Sequence, residues 1–289
     1  MSTYFSLLLF IVVIITGALW GIEKFRRSKN KEYINSKSFA FEFSREYFPL
    51  LAIIFIVRSF IVEPFQIPSG SMMPTLQDGD FIAVNKFNYA IKNPVNGDNL
   101  IEMNTPKRGD IIVFKFPVDK STDYIKRVIG LPGDKITYKN NQLYIHRSCK
   151  NSENCEKLEK VEQNLISDSE YIEKAGLRYS TKLDDIGFEI NIDSKVPNNE
   201  SFFCSFAKEN ICKQKGTKLT EFIVPNDHYF VLGDNRSHSL DGRFWGFVPK
   251  DNIVGNAYFI WMSFEYTKSE SLPSWLPVGI NFNRIGSIN

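Results

Sequence analysis

The first 22 residues, Met1 to Ile22, contain no charged side chain. At about 1.5 Å of rise per residue, a helix of this length reaches about 33 Å, enough for the ~30 Å hydrocarbon core of a bilayer. A cleavable signal peptide would have basic residues before its apolar run and a small-residue site after it. Here nothing basic precedes the run, and Glu23-Lys-Phe-Arg-Arg27 follows it. We therefore predict a retained transmembrane helix over 1–22.

A second apolar run covers 47–62 and is interrupted only by Pro49, Arg58 and Ser59. Sixteen residues is short for a span, since ~20 is usual. The alternative is a buried helix of a soluble domain, but burying Arg58 there would require a partner, whereas at a membrane its side chain could snorkel to the interface. Residues 23–46 carry seven basic and four acidic side chains, which places them in the cytoplasm. Two spans would then place everything after about residue 63 outside it.

The four cysteines all lie in this outer part, and disulfides are expected in an exported domain. Three pairings are open, and short loops favour Cys149–Cys155 and Cys204–Cys212. The three histidines, His146, His228 and His238, show no ligand spacing with the cysteines, so we predict no metal and no cofactor. A net charge of +2 is too small to argue for a nucleic-acid partner.

Beyond residue 63 the chain has short runs rich in β-branched and aromatic residues, separated by Gly-containing turns. We predict a mostly β fold, an antiparallel β-sheet domain formed by 63–134 and 225–289, behind two N-terminal transmembrane helices. Residues 147–222 are polar and weakly periodic. They indicate a β-rich subdomain inserted over 135–224.

Two residues of this outer part suggest chemistry. Ser71 lies in the Pro/Gly-rich stretch Ile67-Pro-Ser-Gly-Ser-Met-Met-Pro-Thr-Leu76, and Lys126 lies in a β-like run. A serine needs an adjacent base to act as a nucleophile, and a lysine can be that base when burial lowers its pKa by several units. In an extended strand Tyr124, Lys126 and Val128 share one face while Arg127 points to the other. Taken singly, each is more often a turn serine or a solvent-facing lysine.

Four ordered segments carry a resemblance. They are Ile67–Leu76, Arg108-Gly-Asp-Ile-Ile-Val-Phe114, Tyr124-Ile-Lys-Arg-Val-Ile-Gly-Leu-Pro-Gly-Asp134, and Gly233-Asp-Asn-Arg-Ser-His-Ser-Leu-Asp-Gly-Arg243 followed by Trp245-Gly-Phe-Val-Pro249. Together they resemble the type I signal peptidases (leader peptidases) of the two-span, Gram-negative kind. The last segment departs from the family pattern at His238 and Gly242.

The resemblance implies that 63–134 and 225–289 form the catalytic domain, with Ser71 as nucleophile and Lys126 as general base. Ser69 and the Ser71 backbone N–H would form the oxyanion hole, and Ser239 would hydrogen-bond and orient Lys126. Five charged residues would be structural support: Arg127, Asp234, Arg236, Asp241 and Arg243. The departure at His238 leaves a Ser-His arrangement as a rival.

The resemblance also implies a substrate and a location. The family cuts signal peptides from preproteins after an Ala-x-Ala-like site, and small residues require shallow apolar pockets. The residues implied there are Phe65, Ile67, Pro68, Met72, Leu76, Ile82, Val113, Tyr124 and Ile125, which could instead be ordinary core. The peptide would add as a strand beside 63–67 and 123–126. Expected partners are signal peptides, the lipid bilayer and, transiently, the export translocon.

The expected location is the bacterial inner membrane, multi-pass, with the catalytic domain in the periplasm. Trp261 and Trp275 are candidates for the membrane interface or for the core. Two other interpretations compete: a self-cleaving repressor, which would need a DNA-binding domain, and an anchored β domain that binds export factors without catalysis.

Overall fold

A computed structural model describes residues 2–29, 38–93, 99–148, 158–166, 170, 172, 174–197, 200–207, 212–214, 216–266 and 276–288. Helix α1 covers Ser2–Lys29 and helix α2 covers Phe39–Ile56, followed by a π-helical turn over Val57–Ile61. The chain divides into two compact units, residues 1–63 with 86–103 and residues 64–85 with 104–289. Residues 86–103, which we expected in the β-sheet domain, therefore belong to the first unit.

Both helices extend beyond the predicted apolar segments. α1 continues seven residues past Ile22, and α2 begins at Phe39, so the predicted loop 23–46 is helical at both ends. Charged side chains do not prevent helix formation, and Arg26, Arg27 and Lys29 are favourable at a helix C-terminus because they face its negative dipole end. The predicted boundaries followed hydropathy, which marks a membrane segment rather than a helix end.

By length and composition, the described chain has one helix that could cross a membrane, over Leu7–Lys29. By this test, the expectation of two transmembrane helices is met only for the first helix. α2 differs because its first turns carry Glu42, Arg45 and Glu46. Within the first unit the two helices are joined by an ion pair between Arg45 and Glu23, 3.0 Å from Nη1 to Oε1.

The remainder is β-structure, as predicted. The strands are β1 Val62–Gln66, β2 Asp80–Asn85, β3 Ala90–Lys92, β4 Asn99–Glu102, β5 Ile111–Lys115, β6 Asp123–Gly130, β7 Lys135–Lys139, β8 Gln142–His146, β9 Glu159–Lys160, β10 Gln163–Leu165, β11 Leu177–Leu183, β12 Ile186–Ile192, β13 Glu221–Ile223, β14 His228–Leu232, β15 Val248–Pro249, β16 Ile253–Tyr266, β17 Pro277–Ile280 and β18 Gly286–Ser287. A short helix, α3, covers Gly242–Trp245.

The main sheet has the strand order β1-β2-β16-β5-β6-β14-β15, with β17 and β18 also paired to β16. Strands β5 and β6 are antiparallel neighbours with Ile112 opposite Lys126, and β6 pairs antiparallel with β14 on its other side. Strand β6 is thus central, and its second half is fully buried. A polar side chain on this strand must find its partners inside the protein.

The predicted insert forms sheets of its own, β13-β7-β8-β9 and β10-β11-β12. The insert and the main sheet share one apolar cluster. This cluster contains Ile136 and Phe188 of the insert and Ile129 and Phe230 of the main sheet. Cys204 and Cys212 form a disulfide, which confirms that predicted pairing. Cys149, Cys155 and Trp275 lie outside the described residues.

Candidate active site

Ser71 lies in a single 3-10 turn over Gly70–Met72 that follows the extended residue Ser69 (φ −149°, ψ 149°). The segment before the turn is anchored to β2, because the Ile67 N–H donates to the Asp80 carbonyl at 2.8 Å. Within the turn the Met73 N–H donates to the Gly70 carbonyl at 3.1 Å. The Pro/Gly-rich sequence thus produces a tight, defined turn that holds the Ser71 hydroxyl at its edge.

Lys126 lies on central strand β6 and is 4% exposed. Its Nζ is 2.7 Å from Ser71 Oγ and 2.8 Å from the Ile125 carbonyl oxygen. Among the described residues, no carboxylate forms an ion pair with it. The aromatic ring of Tyr124, on the same face of the strand, has its centroid 5.6 Å from Nζ. The structure therefore brings the two predicted residues into hydrogen-bond contact.

Burial lowers the pKa of Lys126 from 10.5 to about 8, since desolvation disfavours the ammonium form. The negative charges of Asp241 and Asp234 oppose this shift, and the positive charge of Arg243 adds to it. With a pKa of about 8, about one molecule in ten carries a neutral amine at pH 7, against about one in three thousand at 10.5. A neutral amine beside a hydroxyl can accept its proton.

Arg127, the next residue on β6, is 1% exposed and fully paired. Its Nε and Nη2 donate to the two oxygens of Asp234 at 2.9 and 2.8 Å, and Nη1 donates to the Gly109 carbonyl at 2.9 Å. Asp234 also accepts a hydrogen bond of 2.6 Å from Thr75 Oγ1, four residues after Ser71. This network ties the lysine strand to the segment that carries the serine.

A second ion pair joins two more of the residues predicted to be structural support. Arg243 Nε and Nη2 donate to the two oxygens of Asp241, each at 2.8 Å, and Asp241 also accepts from the Gly233 N–H at 3.0 Å. Arg243 Nη2 further donates to the Arg236 carbonyl at 2.6 Å. Arg236 itself is 2% exposed, and its Nε and Nη1 have no hydrogen-bond partner among the described residues. These contacts shape the turn that follows β14.

The other two predicted serines have different surroundings. Ser69 is exposed, with Oγ 3.5 Å from Ser71 Oγ, so both hydroxyls lie at the same edge of the turn. Ser239 is 7% exposed, but its Oγ has no hydrogen-bond partner within the described chain. The expected hydrogen bond from Ser239 to Lys126 is therefore not formed here, since Lys126 Nζ is bonded to Ser71 and to the Ile125 carbonyl.

The nine predicted pocket residues separate by exposure. Five are buried in one apolar cluster, namely Ile67, Met72, Leu76, Ile82 and Val113. Phe65 and Ile125 pack against that cluster while keeping partial exposure, Tyr124 is partly buried, and Pro68 is exposed. The buried five are core residues in this structure, and the other four present surface next to the serine and lysine segments.

His238 contacts the insert. Its Nε2 lies 3.2 Å from Asp193 Oδ2, and the side chain of Asp193 is 4% exposed. The Ser71 hydroxyl instead meets Lys126. This arrangement favours the lysine over the histidine as the partner of the serine.

Two residues at the site were missed by sequence analysis. Arg284 donates to Asp80 through Nε at 2.9 Å and to the Thr75 carbonyl through Nη2 at 3.0 Å, so residues near the C-terminal end hold the serine segment across about 200 positions of chain. Asn235 donates to the carbonyls of both Ser71 and Gly70. No local pattern marks such contacts, because they depend on how distant segments are brought together.

Comparisons with known proteins identify the family of the chain. The model of the family "Signal peptidase, peptidase S26" matches residues 40–262. The chain belongs to the signal peptidase I family. It is 41% identical, over the full length of both chains, to signal peptidase I of Buchnera aphidicola subsp. Acyrthosiphon pisum (strain APS), and 37% identical over the full length of both to signal peptidase I of Pseudomonas fluorescens.

Among solved structures, the chain is similar to a signal peptidase I from Enterococcus faecalis V583, with 24% identity, 54% of this chain and 98% of that chain covered, and a TM-score of 0.29. Signal peptidase I enzymes are serine proteases that remove signal peptides from preproteins. The full-length relatives therefore identify an enzyme and its class of substrate.

Proposed function

We propose that this signal peptidase is a membrane-bound serine endopeptidase that cuts after an Ala-x-Ala-like site, with Ser71 as nucleophile and Lys126 as general base. The observation that carries the proposal is the 2.7 Å contact between Lys126 Nζ and Ser71 Oγ, made by a lysine that is 4% exposed. An exposed lysine would keep its proton at neutral pH, whereas this one has a pKa lowered to about 8.

The chemical steps follow from this contact. Neutral Lys126 Nζ accepts the Ser71 hydroxyl proton as Oγ bonds to the scissile carbonyl carbon, and the carbonyl π electrons move to its oxygen. The Ser71 N–H and the Ser69 hydroxyl stabilise this oxyanion. Protonated Lys126 then donates its proton to the leaving amine, which releases the mature protein. Lys126 next takes a proton from a water that attacks the acyl carbon. The bond between Ser71 Oγ and the acyl carbon then breaks, Lys126 returns that proton to Oγ, and the signal peptide leaves with a new carboxyl group, which ionises.

The buried ion pairs around the dyad have a different role in this proposal. Arg127 with Asp234 and Arg243 with Asp241 hold the backbone on which the two reacting residues lie. Ser239 lies next to the reacting turn, since a side chain added at Gly233 would meet both Ser239 Oγ and the Ser71 carbonyl. The Ser239 hydroxyl oxygen, unpaired within the described chain, is available to accept a hydrogen bond from Lys126 Nζ, which would leave the lone pair of the neutral amine for the Ser71 hydroxyl proton.

The substrate surface follows from the exposure of the pocket residues. Phe65, Pro68, Tyr124 and Ile125 are the members that present surface, and the buried five would support them from behind. We propose that small side chains of the signal peptide contact these four residues, with the peptide extended beside the β1 and β6 backbones. The catalytic domain would comprise 64–85, 104–134 and 225–289, with 135–224 as its insert.

We further propose that α1 is one membrane span and that α2 with its π-helical turn is a second. From Tyr47 to Ile61 the only charged residue is Arg58, and the helix and turn together form a continuous Phe39–Ile61 segment. The basic residues of 23–46 would then lie in the cytoplasm and the catalytic domain in the periplasm, near the lipid surface and transiently near the translocon. Reporter fusions after residues 30 and 90 test this, and a cytoplasmic signal from the second fusion would contradict it.

The test of the dyad uses the full chain in neutral detergent and a preprotein with an Ala-x-Ala site. Wild type is compared with Ser71→Ala and Lys126→Ala, and the new N-terminus of any product is sequenced. The exposed neighbours Lys120→Ala and Ser121→Ala serve as matched controls. We expect cleavage after the final alanine in wild type and both controls, and loss of cleavage in the two folded dyad variants.

Each other outcome would change the proposal. Cleavage surviving in Lys126→Ala would overturn the base assignment and favour His238 instead. Cleavage surviving in Ser71→Ala would overturn the nucleophile. A product cut elsewhere would overturn the proposed specificity.

A further inference from the structure

Asn235 is 1% exposed and contacts both carbonyls around the serine. Its backbone N–H donates to the Ser71 carbonyl at 3.1 Å. Its side-chain Nδ2 donates to the Gly70 carbonyl at 3.0 Å and to the Lys174 carbonyl at 3.2 Å. One residue of the turn after β14 thus spans the serine turn and a turn of the insert.

The hydrogen bond from Asn235 Nδ2 to the Gly70 carbonyl also orients the backbone N–H of Ser71. The Gly70 carbonyl and the Ser71 N–H belong to the same peptide group, which is planar and rigid. A donor that holds the carbonyl oxygen therefore fixes the direction of the N–H at the other end. It also polarises the peptide, which strengthens that N–H as a donor. This N–H is the backbone donor assigned to the oxyanion.

Asn235 is in turn held by the insert. The Asn191 N–H on β12 donates to the Asp234 carbonyl at 2.9 Å, and Asn191 and Asn235 form an isolated parallel β-bridge. Lys174, whose carbonyl receives Nδ2, has φ +62° in the turn closed by the Gly176 N–H and the Ile172 carbonyl at 2.7 Å. The insert therefore presents both a strand and a turn to this one asparagine.

From these contacts we propose that Asn235 is a positioning residue for the oxyanion hole and that residues 174–191 of the insert hold it in place. The proposal rests on the proposed function, because it takes Ser71 as the nucleophile and its N–H as an oxyanion donor. It gives the inserted subdomain a role in catalysis, since the turn at Lys174 and strand β12 orient the Gly70–Ser71 peptide through Asn235.

The test compares variants of the full chain in neutral detergent. Asn235→Ala removes the donor, and Asn235→Asp keeps the side-chain shape without the N–H groups. Gly176→Ala disturbs the insert turn from outside the site, because its new Cβ would lie 2.2 Å from the Ile192 carbonyl oxygen at φ +82°. Lys160→Ala is the control, since the Lys160 side chain is exposed on strand β9 of the insert, outside the turn at Lys174 and strand β12.

We expect the folded Asn235 variants to lose about tenfold to hundredfold in kcat, with KM changed less than about twofold, because the oxyanion exists only after attack. Gly176→Ala should lose kcat in the same direction, and Lys160→Ala should match wild type. Thermal midpoints identify folded variants. If Asn235→Ala does not fold, Asn235→Asp and Gly176→Ala decide the outcome.

A second readout separates positioning from general structural damage. An Ala-x-Ala peptide aldehyde forms a tetrahedral adduct with an oxyanion, whereas the corresponding peptide alcohol does not. In Asn235→Ala we expect inhibition by the aldehyde to weaken by about the same factor as kcat, and inhibition by the alcohol to stay unchanged. Equal weakening of both, or kcat within about threefold of wild type, would overturn the proposal. Failure of the proposed function itself would appear separately, as cleavage by Ser71→Ala.

Discussion

The two faces of strand β6 place neighbouring cations in opposite surroundings. On one face Lys126 is 4% exposed and, among the described residues, hydrogen-bonds only to the Ser71 hydroxyl and the Ile125 carbonyl. On the other, Arg127 is 1% exposed and forms a two-point ion pair with Asp234. Burial is nearly equal, so the difference lies in the paired counter-charge and in the guanidinium itself, which does not deprotonate in proteins. Desolvation lowers the pKa of Lys126 to about 8, while the paired guanidinium remains a structural cation.

This difference explains how one strand can supply both a base and a scaffold. A buried guanidinium paired with a carboxylate keeps its charge, and removing either partner leaves the other charge buried and unpaired. A buried amine without a carboxylate gives up its proton readily, at a cost in stability. Single substitutions of Lys126 or Arg127, and changes of pH, test this comparison.

The largest expected effect is on catalysis. Lys126→Arg keeps a cation at the dyad face, but a guanidinium does not deprotonate in proteins, so we expect kcat/KM to fall by about a thousandfold or more. Preprotein cleavage by purified protein measures this, with Lys120→Arg on an exposed loop as the control. Activity within about tenfold of wild type would show that the side chain serves as a charge rather than as a base.

The next effect is on stability at the other face. Arg127→Met leaves Asp234 buried without its partner, and we expect the free energy of unfolding to fall by about 3–5 kcal/mol. Denaturant unfolding checks this. The control is Arg178→Met, which breaks an ion pair to Glu189 whose side chains are 40% and 45% exposed, and should cost about 0–1 kcal/mol. Equal losses for the two variants would remove the distinction between buried and exposed pairs.

A smaller effect of opposite sign is expected for Lys126→Met. The folded-state pKa of about 8 lies below the ordinary value of 10.5, so protonated Lys126 lowers the free energy of unfolding. This penalty has its full size below pH 8. This penalty disappears as the pH rises to about 10.5. Lys126→Met should therefore be more stable than wild type by about 3 kcal/mol at pH 7. The gain should shrink toward pH 10.

Unfolding free energies at pH 7 and at pH 9.5 measure that change. Lys120→Met, on the exposed loop, is the control for adding a methionine. A gain that is the same at both pH values would mean that added apolar packing, not loss of a buried charge, produced it.

The last effect, about tenfold for a change of one pH unit, is the pH dependence of the rate. Because the base must be neutral, kcat/KM should fall about tenfold for each pH unit below about 8, following the lowered pKa of Lys126. Single-turnover cleavage between pH 5 and pH 10 measures this profile. A rate that still rises steeply between pH 9 and pH 10 would show that the amine keeps an ordinary pKa.

Sequence patterns were most informative where structure depends on neighbouring residues. Short runs rich in β-branched and aromatic residues predicted strands such as Ile111–Lys115 and Asp123–Gly130, because these side chains fit a pleated, half-buried surface. Short-loop pairing predicted the Cys204–Cys212 disulfide. The helix ends were less well placed, because hydropathy changes at Ile22 whereas the backbone hydrogen bonding of α1 continues to Lys29.

Sequence by itself determined the family, the mostly β fold and the two residues that meet at the candidate site. Only the tertiary structure decided that Lys126 has no carboxylate partner among the described residues, that Arg284 holds the serine segment, and that Asn235 links that segment to the insert. The reason is physical. Strand patterns arise from interactions between neighbours, whereas desolvation and hydrogen bonds across about 200 residues depend on which distant segments pack together.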